Sequence, residues 1–447
     1  MWAAGARRQE VTFMVQDDAA VRLDAVEVRF DDERAVADAG IVLAATLAGR
    51  LGIEALVNQA VDLGERPGAA NAGAKVMTLV SAMALGADSI EDCDLLRSGR
   101  TGAVLGHRVA APSTLGTFLR GFTFGHVRQL DRVLGEVLRR AWAAGAGPGE
   151  ERLVVDVDSF VGEVHGHAKQ GAAFGYTRQR GYHPILASRA DTGEVLHIRC
   201  RKGSANTSRG MLRFCEELIA RVERAGARGP KLLRADSGFW AKKTFARLDR
   251  AGWSYSIGVR LQPHVRSAIE QIEESAWQTL PDYPPTSIAQ IAETTLGEER
   301  LVIRRVRTLD AQGELLPSFE HYPFATNRTE ALAVVEAEHR QHAVVELAIR
   351  DLKDQALAHF PSGKFMANAA WTVIAALAHN LLRWSATLGL PGHTVRAART
   401  FRRRLLRMPG RLTRNARRWT LHLPARWPWQ RSFIEALTRI RALPAAG

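Results

Sequence analysis

The spacing of apolar and polar positions changes character along the 447-residue chain. Between residues 39 and 143 apolar side chains recur at helical intervals. They predict helices over about 39–62, 70–86, 88–97, 113–122 and 126–143. Asp88-Ser89-Ile90-Glu91 has the form of a capping box, and Pro112-Ser113-Thr114 suits a helix start. Short helices with tight links suit a DNA-reading helix-turn-helix and an ordinary helical bundle equally well. The run Gly145 to Gly149 punctuates the pattern as a linker.

Beyond the linker the period shortens. Leu153 to Asp158 is an apolar run broken by acids, and Ile185–Arg189 and Val195–Cys200 flank a turn at Asp191-Thr192-Gly193. These read as three strands of a meander. A helix over about 208–225, a strand at 231–235, a helix at 242–251 and a strand at 253–259 follow. The order β-β-β-α-β-α-β predicts a mixed five-stranded sheet with flanking helices. Residues 261–328 hold Pro263, Pro281, Pro284, Pro285 and Pro317 and the alternating run Arg300 to Val306, a β-rich insertion. Long helices resume over about 329–357 and 368–388. The resulting layout is an acidic lead-in (1–38), an N-terminal helical domain (39–144) and an α/β core in two parts (150–260 and 329–390). The insertion (261–328) separates those parts, and a basic C-terminal region (391–447) follows.

Charge sharpens this picture. The net charge is +14, and Pro391 to Gly447 carries 14 arginines against one acid, Glu435. The rest of the chain is close to neutral. A block of this kind attracts polyanions, and each phosphate contact releases counterions from nucleic acid. The apolar residues among the arginines, such as Leu405, Leu412, Trp427 and Phe433, indicate a small folded unit. Arg402, Arg403 and Arg404 are its candidate backbone contacts. Residues 10–38 hold nine acids and read as a solvated lead-in. Cys93, Cys200 and Cys215 are odd in number and widely spaced, which excludes a disulfide framework or zinc finger and suits a reducing cytoplasm. Met1 to Arg8 has no apolar signal region, and Trp371–Trp384 is too short and too polar for a bilayer.

Three acids occupy suggestive places. Asp158 ends the first strand, Asp236 follows the fourth in Arg234-Ala235-Asp236-Ser237-Gly238, and Glu346 lies on the long helix. Acids at neighbouring strand ends face one crevice, and a helix packed there adds a third. Three carboxylates suit hard cations, Mg²⁺ or Mn²⁺. Asp156 alternates onto the same face as Asp158, so either can be the first acid. At ~100° per residue, His339, His342 and Lys353 share the face of Glu346. That face suits metal on one side and DNA phosphate on the other. Arg350, one turn on, is a further phosphate candidate or a plain salt bridge to Glu346.

In these residues the chain resembles the DDE transposases of bacterial insertion sequences. It is most similar to the insertion-sequence family numbered thirteen-eighty. The helix signature of the wider group is Tyr, two residues, Arg, three residues, Glu, six residues, Lys. Here the same spacing joins His339, His342, Glu346 and Lys353, with histidines in place of Tyr and Arg. Val155 to Ser159, Gly181 to Pro184, Arg234 to Phe239, Ala367 to Trp371 and Pro112 to Gly116 also match the narrower family.

The resemblance implies an RNase H-like catalytic core, with Asp158, Asp236 and Glu346 as catalytic, metal-holding acids. An Asp followed by Ser or Thr favours Asp158 over Asp156. It further implies Mg²⁺-dependent cleavage and strand transfer at the terminal inverted repeats of an element. Terminal-repeat and target DNA would be the partners, with a homodimer in the synaptic complex, a cytoplasmic, nucleoid-associated location and no membrane. Relatives trap a flipped base on an aromatic of the insertion. Trp277 is the only tryptophan there, and a core position is its other reading. Rival functions are another RNase H-like nuclease and a domesticated or inactive DNA-binding protein.

Overall fold

The computed structural model describes residues 23–166, 168–175, 178–281, 283–308, 318–392 and 397–446. Two units are distinguished, residues 1–33 and 34–447. The described part of the first holds one turn, Leu23–Ala25, followed by exposed Val26, Val28 and Phe30. The lead-in before Leu23 lies outside the described residues.

In the second unit, helices α1 (Val42–Arg50), α2 (Ile53–Ala60), α3 (Ala72–Ala84), α4 (Pro112–Arg120) and α5 (Phe124–Ala141) form a bundle. All thirteen residues of α3 are buried, which places it inside the bundle. The helix expected over 88–97 is a 3₁₀ turn, Glu91–Arg97. Its cap sits one residue later than expected. Ser89 Oγ accepts from Asp92 N at 3.2 Å, and the Asp92 carboxylate accepts from Ser89 N at 3.3 Å.

The sheet strands are β1 (Leu153–Ser159), β2 (Ile185–Arg189), β3 (Val195–Arg199), β4 (Lys231–Ala235) and β5 (Ser254–Gly258). The insertion adds β6 (Gln278–Thr279), β7 (Ser287–Leu296), β8 (Glu299–Thr308) and β9 (Glu320–Thr326). Their spatial order is β3-β2-β1-β4-β5-β9-β8-β7-β6. β1, β4 and β5 run parallel, while β2 and β3 are antiparallel. Helices α6 (Met211–Ala225) and α7 (Lys242–Arg250) make the crossovers.

The expected five strands are thus part of a nine-stranded sheet, to which the insertion contributes the other four. β5 would otherwise be an open edge with Tyr255 and Ile257 buried. β9 pairs antiparallel with it, Ala325 opposite Ile257, and removes that edge. The insertion also holds a helix, α8 (Pro263–Glu270).

The long helix expected over 329–357 is broken. It comprises α9 (Leu332–Arg340), a 3₁₀ turn at Gln341–Val344, α10 (Val345–Leu352) and a π turn at Lys353–Leu357. Helix α11 (Phe365–Gly389) is long and apolar enough to cross a membrane, longer than its sequence suggested. It is buried over most of its length and packs against α1, α3, α4 and α5. Asn380 on α11 bonds both the N–H and the carbonyl of Val195, closing the β3 edge.

The C-terminal region joins the same core. It comprises α12 (Ala398–Phe401), a two-stranded ribbon (Gly410–Asn415 and Arg418–His422) and α13 (Gln430–Ala442). The ribbon pairs with Ala35–Val36, and α13 packs on α1 and α11. One hydrophobic core runs from Ile41 to Ile440, so the expected helical domain, sheet core and C-terminal region share a single interior.

Candidate active site

Asp158, Asp236 and Glu346 meet at the C-terminal end of the parallel strands. Asp158 is the penultimate residue of β1, and its carboxylate accepts from Ser159 N at 2.6 Å. Asp236 leaves β4 and accepts from Gly238 N at 2.9 Å, capping the turn Ser237–Phe239. That turn needs glycine beside it, because a Cβ on Gly258 of β5 would lie 2.7 Å from Ser237 N. Glu346, in the first turn of α10, lines one cleft together with Asp236.

Burial pushes the Asp158 carboxyl up to about 6. The Ser159 N–H and His342 pull it down, and Asp236 and Glu346 push it further up. The three acids are therefore close enough to repel one another. Among the described residues Asp236 accepts only the Gly238 bond, and Glu346 has no hydrogen bond or ion pair. Three carboxylates short of counter-charge are a donor set that fits a hard divalent cation.

Asp156, the other reading of the first acid, is fully buried. Arg234 holds it through two bonds of 2.7 and 2.9 Å, and His342 Nδ1 lies 3.1 Å from its Oδ1. Arg234 also donates to the Glu338 carbonyl. Asp156 thus ties β1 to β4 and to the turn that leads into α10.

The break in the long helix redistributes its expected face. Four residues at ~120° instead of ~100° shift the register between His339 and Glu346 by roughly 80°, and both side chains still line the cleft of Asp236. His339 stacks on Phe324 of β9 at 4.0 Å and shares a 2.8 Å hydrogen bond with Ser256 Oγ. Burial pulls its pKa down to about 3, so it carries no charge near neutral pH. A protonated phosphate contact at His339 does not fit this environment. Lys353 Nζ lies over the Phe160 ring, 5.2 Å from its centre and beside the end of β1. Arg350 is exposed and forms no ion pair with Glu346 among the described residues.

The Arg402 expectation needs correction. Arg402 is buried and bonds the Asp354 carboxylate and carbonyl, so it braces the π turn after α10 and is unavailable to DNA. Arg403 and Arg404 are exposed, with the Arg404 guanidinium 5.3 Å from the Trp429 ring centre. Trp277 is only 8% exposed, and the Arg305 guanidinium covers it at 4.0 Å, so it occupies its core reading.

A second acidic group, Asp131, His197 and Glu217, brings its ligand atoms within 4.8 Å of one another. Arg128 and Arg221 pair with Asp131, and Arg128, Arg199 and Arg213 pair with Glu217. Against burial, Arg221 and His197 lower Asp131, and His197 and Arg199 hold Glu217 at about 2. Four guanidiniums already neutralise this group. It reads as a clamp between α5, β3 and α6, and the strand-end carboxylates are the better cation site.

Sequence reasoning passed over two features. His183 donates Nδ1–H to the Ala205 carbonyl at 2.7 Å and accepts from Ser159 Oγ at 3.0 Å, bracing the end of β1. Burial lowers its pKa and keeps it neutral. Arg260, two residues beyond β5, lines the cleft of Asp236 and Glu346 and two neighbouring clefts. Its position past the C-terminal end of a parallel strand is the signal that was available.

No curated protein matches the chain. Among solved structures, the piggyBac transposase in a synaptic complex with hairpin DNA is similar over 83% of this chain and 80% of that one. Identity is 13% and the TM-score 0.44. Residues 18–445 match the model for transposase DDE domain group 1, nearly the whole sequence, and the chain belongs to that transposase family.

Proposed function

We infer that this transposase binds the terminal inverted repeats of an insertion sequence of the thirteen-eighty type and cuts and joins DNA strands at Asp158, Asp236 and Glu346. The observation that carries the reading is the convergence of these three acids at one sheet end with no cationic partner on Asp236 or Glu346. The strand order, with β2 and β3 antiparallel and β1, β4 and β5 parallel, supports an RNase H-like core.

The same acids are the residues to hold Mg²⁺ or Mn²⁺. Such ions, when bound, neutralise phosphate oxygens and acidify water for in-line displacement at phosphorus. The chain's own residues orient that centre. Ser159 N and Gly238 N fix two of the carboxylates, and Asp156 with Arg234 and His342 fixes the approach of α10. Water displaces the 3′-oxygen at the element end, and the freed 3′-hydroxyl then attacks the opposite strand or target DNA. Two ends must be held together, which a homodimer achieves. Lys353, Arg350, Arg403 and Arg404 remain as DNA contacts.

The test is a cleavage and strand-transfer assay on duplexes carrying the element's flanking ends, with Mg²⁺. Wild type should cut at the ends and join, while Asp158→Asn, Asp236→Asn and Glu346→Gln should each lose at least 100-fold. Binding without cutting under Mg²⁺ and Mn²⁺ would leave a DNA-binding protein in place of the enzyme. Cutting without end preference or joining would leave a nuclease.

A further inference from the structure

A strand of DNA entering the cleft of Asp236 and Glu346 meets negative charge, so its phosphates need positive charge from the protein. Most of the basic groups nearby are committed elsewhere. His339 is neutral and stacked on Phe324, and His342 faces Asp156. Arg234 is consumed by Asp156, and Arg304 and Arg340 both pair with Glu336.

Arg260 differs. It is exposed, and among the described residues its side chain has no hydrogen bond or ion pair. Its backbone is held firmly. Val259 N donates to the Pro323 carbonyl of β9 at 2.8 Å, and the Arg260 carbonyl accepts from Gln262 N at 2.7 Å. Three depressions meet at this residue. One, of about 600 Å³, contains Asp236 and Glu346. The second contains Asn206, Thr207, Ser237 and Gly238, and the third reaches His183 and the exposed Phe174. A free guanidinium at the junction of three clefts, one strand over from Asp236, is placed to grip an anion that passes the carboxylates.

We propose that Arg260 binds a backbone phosphate of the DNA strand entering the catalytic cleft. It supplies a positive charge that, among the described residues, no hydrogen bond or ion pair already uses. The proposal rests on the transposase reading above and names a DNA-binding residue of that same site. Guanidinium binds phosphate through paired N–H donors, so lysine is only a partial substitute.

The test uses the full chain with Arg260→Ala, Arg260→Lys and, as a surface control, Arg224→Ala. Binding to end-bearing duplex is measured with Ca²⁺ over a KCl series, and single-turnover cutting with Mg²⁺. Arg260→Ala should weaken binding about five- to thirty-fold and reduce the slope of log K against log salt by about one. Arg260→Lys should keep the slope and recover part of the affinity. The control should match wild type, and the melting temperature of all three should be unchanged. Cutting by Arg260→Ala should fall at least ten-fold.

If Arg260→Ala keeps the wild-type slope and cutting rate, the proposal is overturned while the transposase reading stands. If wild type binds but does not cut and the slope still drops, the phosphate contact stands and the catalytic reading fails. If wild type binds no DNA, both fall.

Discussion

Asp156 and Arg234 form a two-pronged ion pair, 2.7 and 2.9 Å, with the Asp156 side chain wholly buried and that of Arg234 3% exposed. This pair separates two acids only one residue apart. Asp156 already has its counter-charge, whereas half-buried Asp158 has two other acids as its electrostatic neighbours. Asparagine at 156 leaves Arg234 buried without a full partner, a loss of about 3 kcal/mol. Asp156→Asn should therefore lower the melting temperature by several degrees. Some cutting activity should survive at low temperature, which separates a bracing role from a metal-holding one.

Asp158→Asn should act in the opposite direction. The Asp158 carboxyl titrates near 6 in the folded protein, above its ordinary value of 3.8. The folded state thus binds the proton more tightly than the unfolded chain does. Ionised Asp158 costs stability, fully above pH 6 and not at all below about pH 4. Metal-free Asp158→Asn should be more stable than wild type at pH 8, by about 1–2 kcal/mol after solvent screening at the cleft. The difference should fade as the pH falls from 6 to 4. Urea melts with EDTA across that range give the comparison, and equal stability at pH 8 would refute it.

Divalent cation should stabilise the folded protein through the same acids. Millimolar Mn²⁺ or Mg²⁺ should raise the wild-type melting temperature over an EDTA control. Asp236→Asn and Glu346→Gln should lose most of that rise. Glu217→Gln should keep it, although it is destabilised by exposing Arg199 and Arg128 to an incomplete partner. Loss of the metal response in Glu217→Gln alone would move the cation to the Asp131 cluster.

The central strands were legible because each is a short apolar run bounded by turn residues, and Asp236 because it directly follows one. The partner of β5 was not legible. Glu320 to Thr326 contains Pro323 and polar residues, and only the exposed edge of β5 explains why it forms a strand. The break at Gln341–Val344 carries no glycine or proline, so helical periodicity did not reveal it, although His339 and Glu346 still line one cleft. Periodicity reports an apolar face and not what covers it. That is why α3, α11 and α13 looked like parts of three domains although they share one core. Asp156 and Arg234 are 78 residues apart, a distance over which spacing says nothing about pairing.

The C-terminal arginines divide by the same logic, and the ribbon Gly410–His422 is where they face solvent. Arg414 lies opposite Trp419 across the ribbon, its guanidinium 5.4 Å from the ring centre. Arg414, Arg417, Arg418 and Trp419 are exposed, and no acid occurs between Pro409 and Ile434. Leu412 anchors the base on Val36 and Ala39, so the ribbon is fixed at one end and free at its tip. A two-stranded ribbon is narrow enough for the major groove, and arginines on it meet phosphates on either wall. Replacing Arg414, Arg417 and Arg418 together by Ala should leave the melting temperature unchanged. It should flatten the salt dependence of DNA binding by up to about three in slope, ~0.9 per lost contact. Arg402→Ala should do the reverse, lowering stability through Asp354 with little change in that slope. Titrations of end-bearing duplex at several KCl concentrations distinguish the two. An unchanged slope in the triple variant would remove the ribbon from the DNA interface.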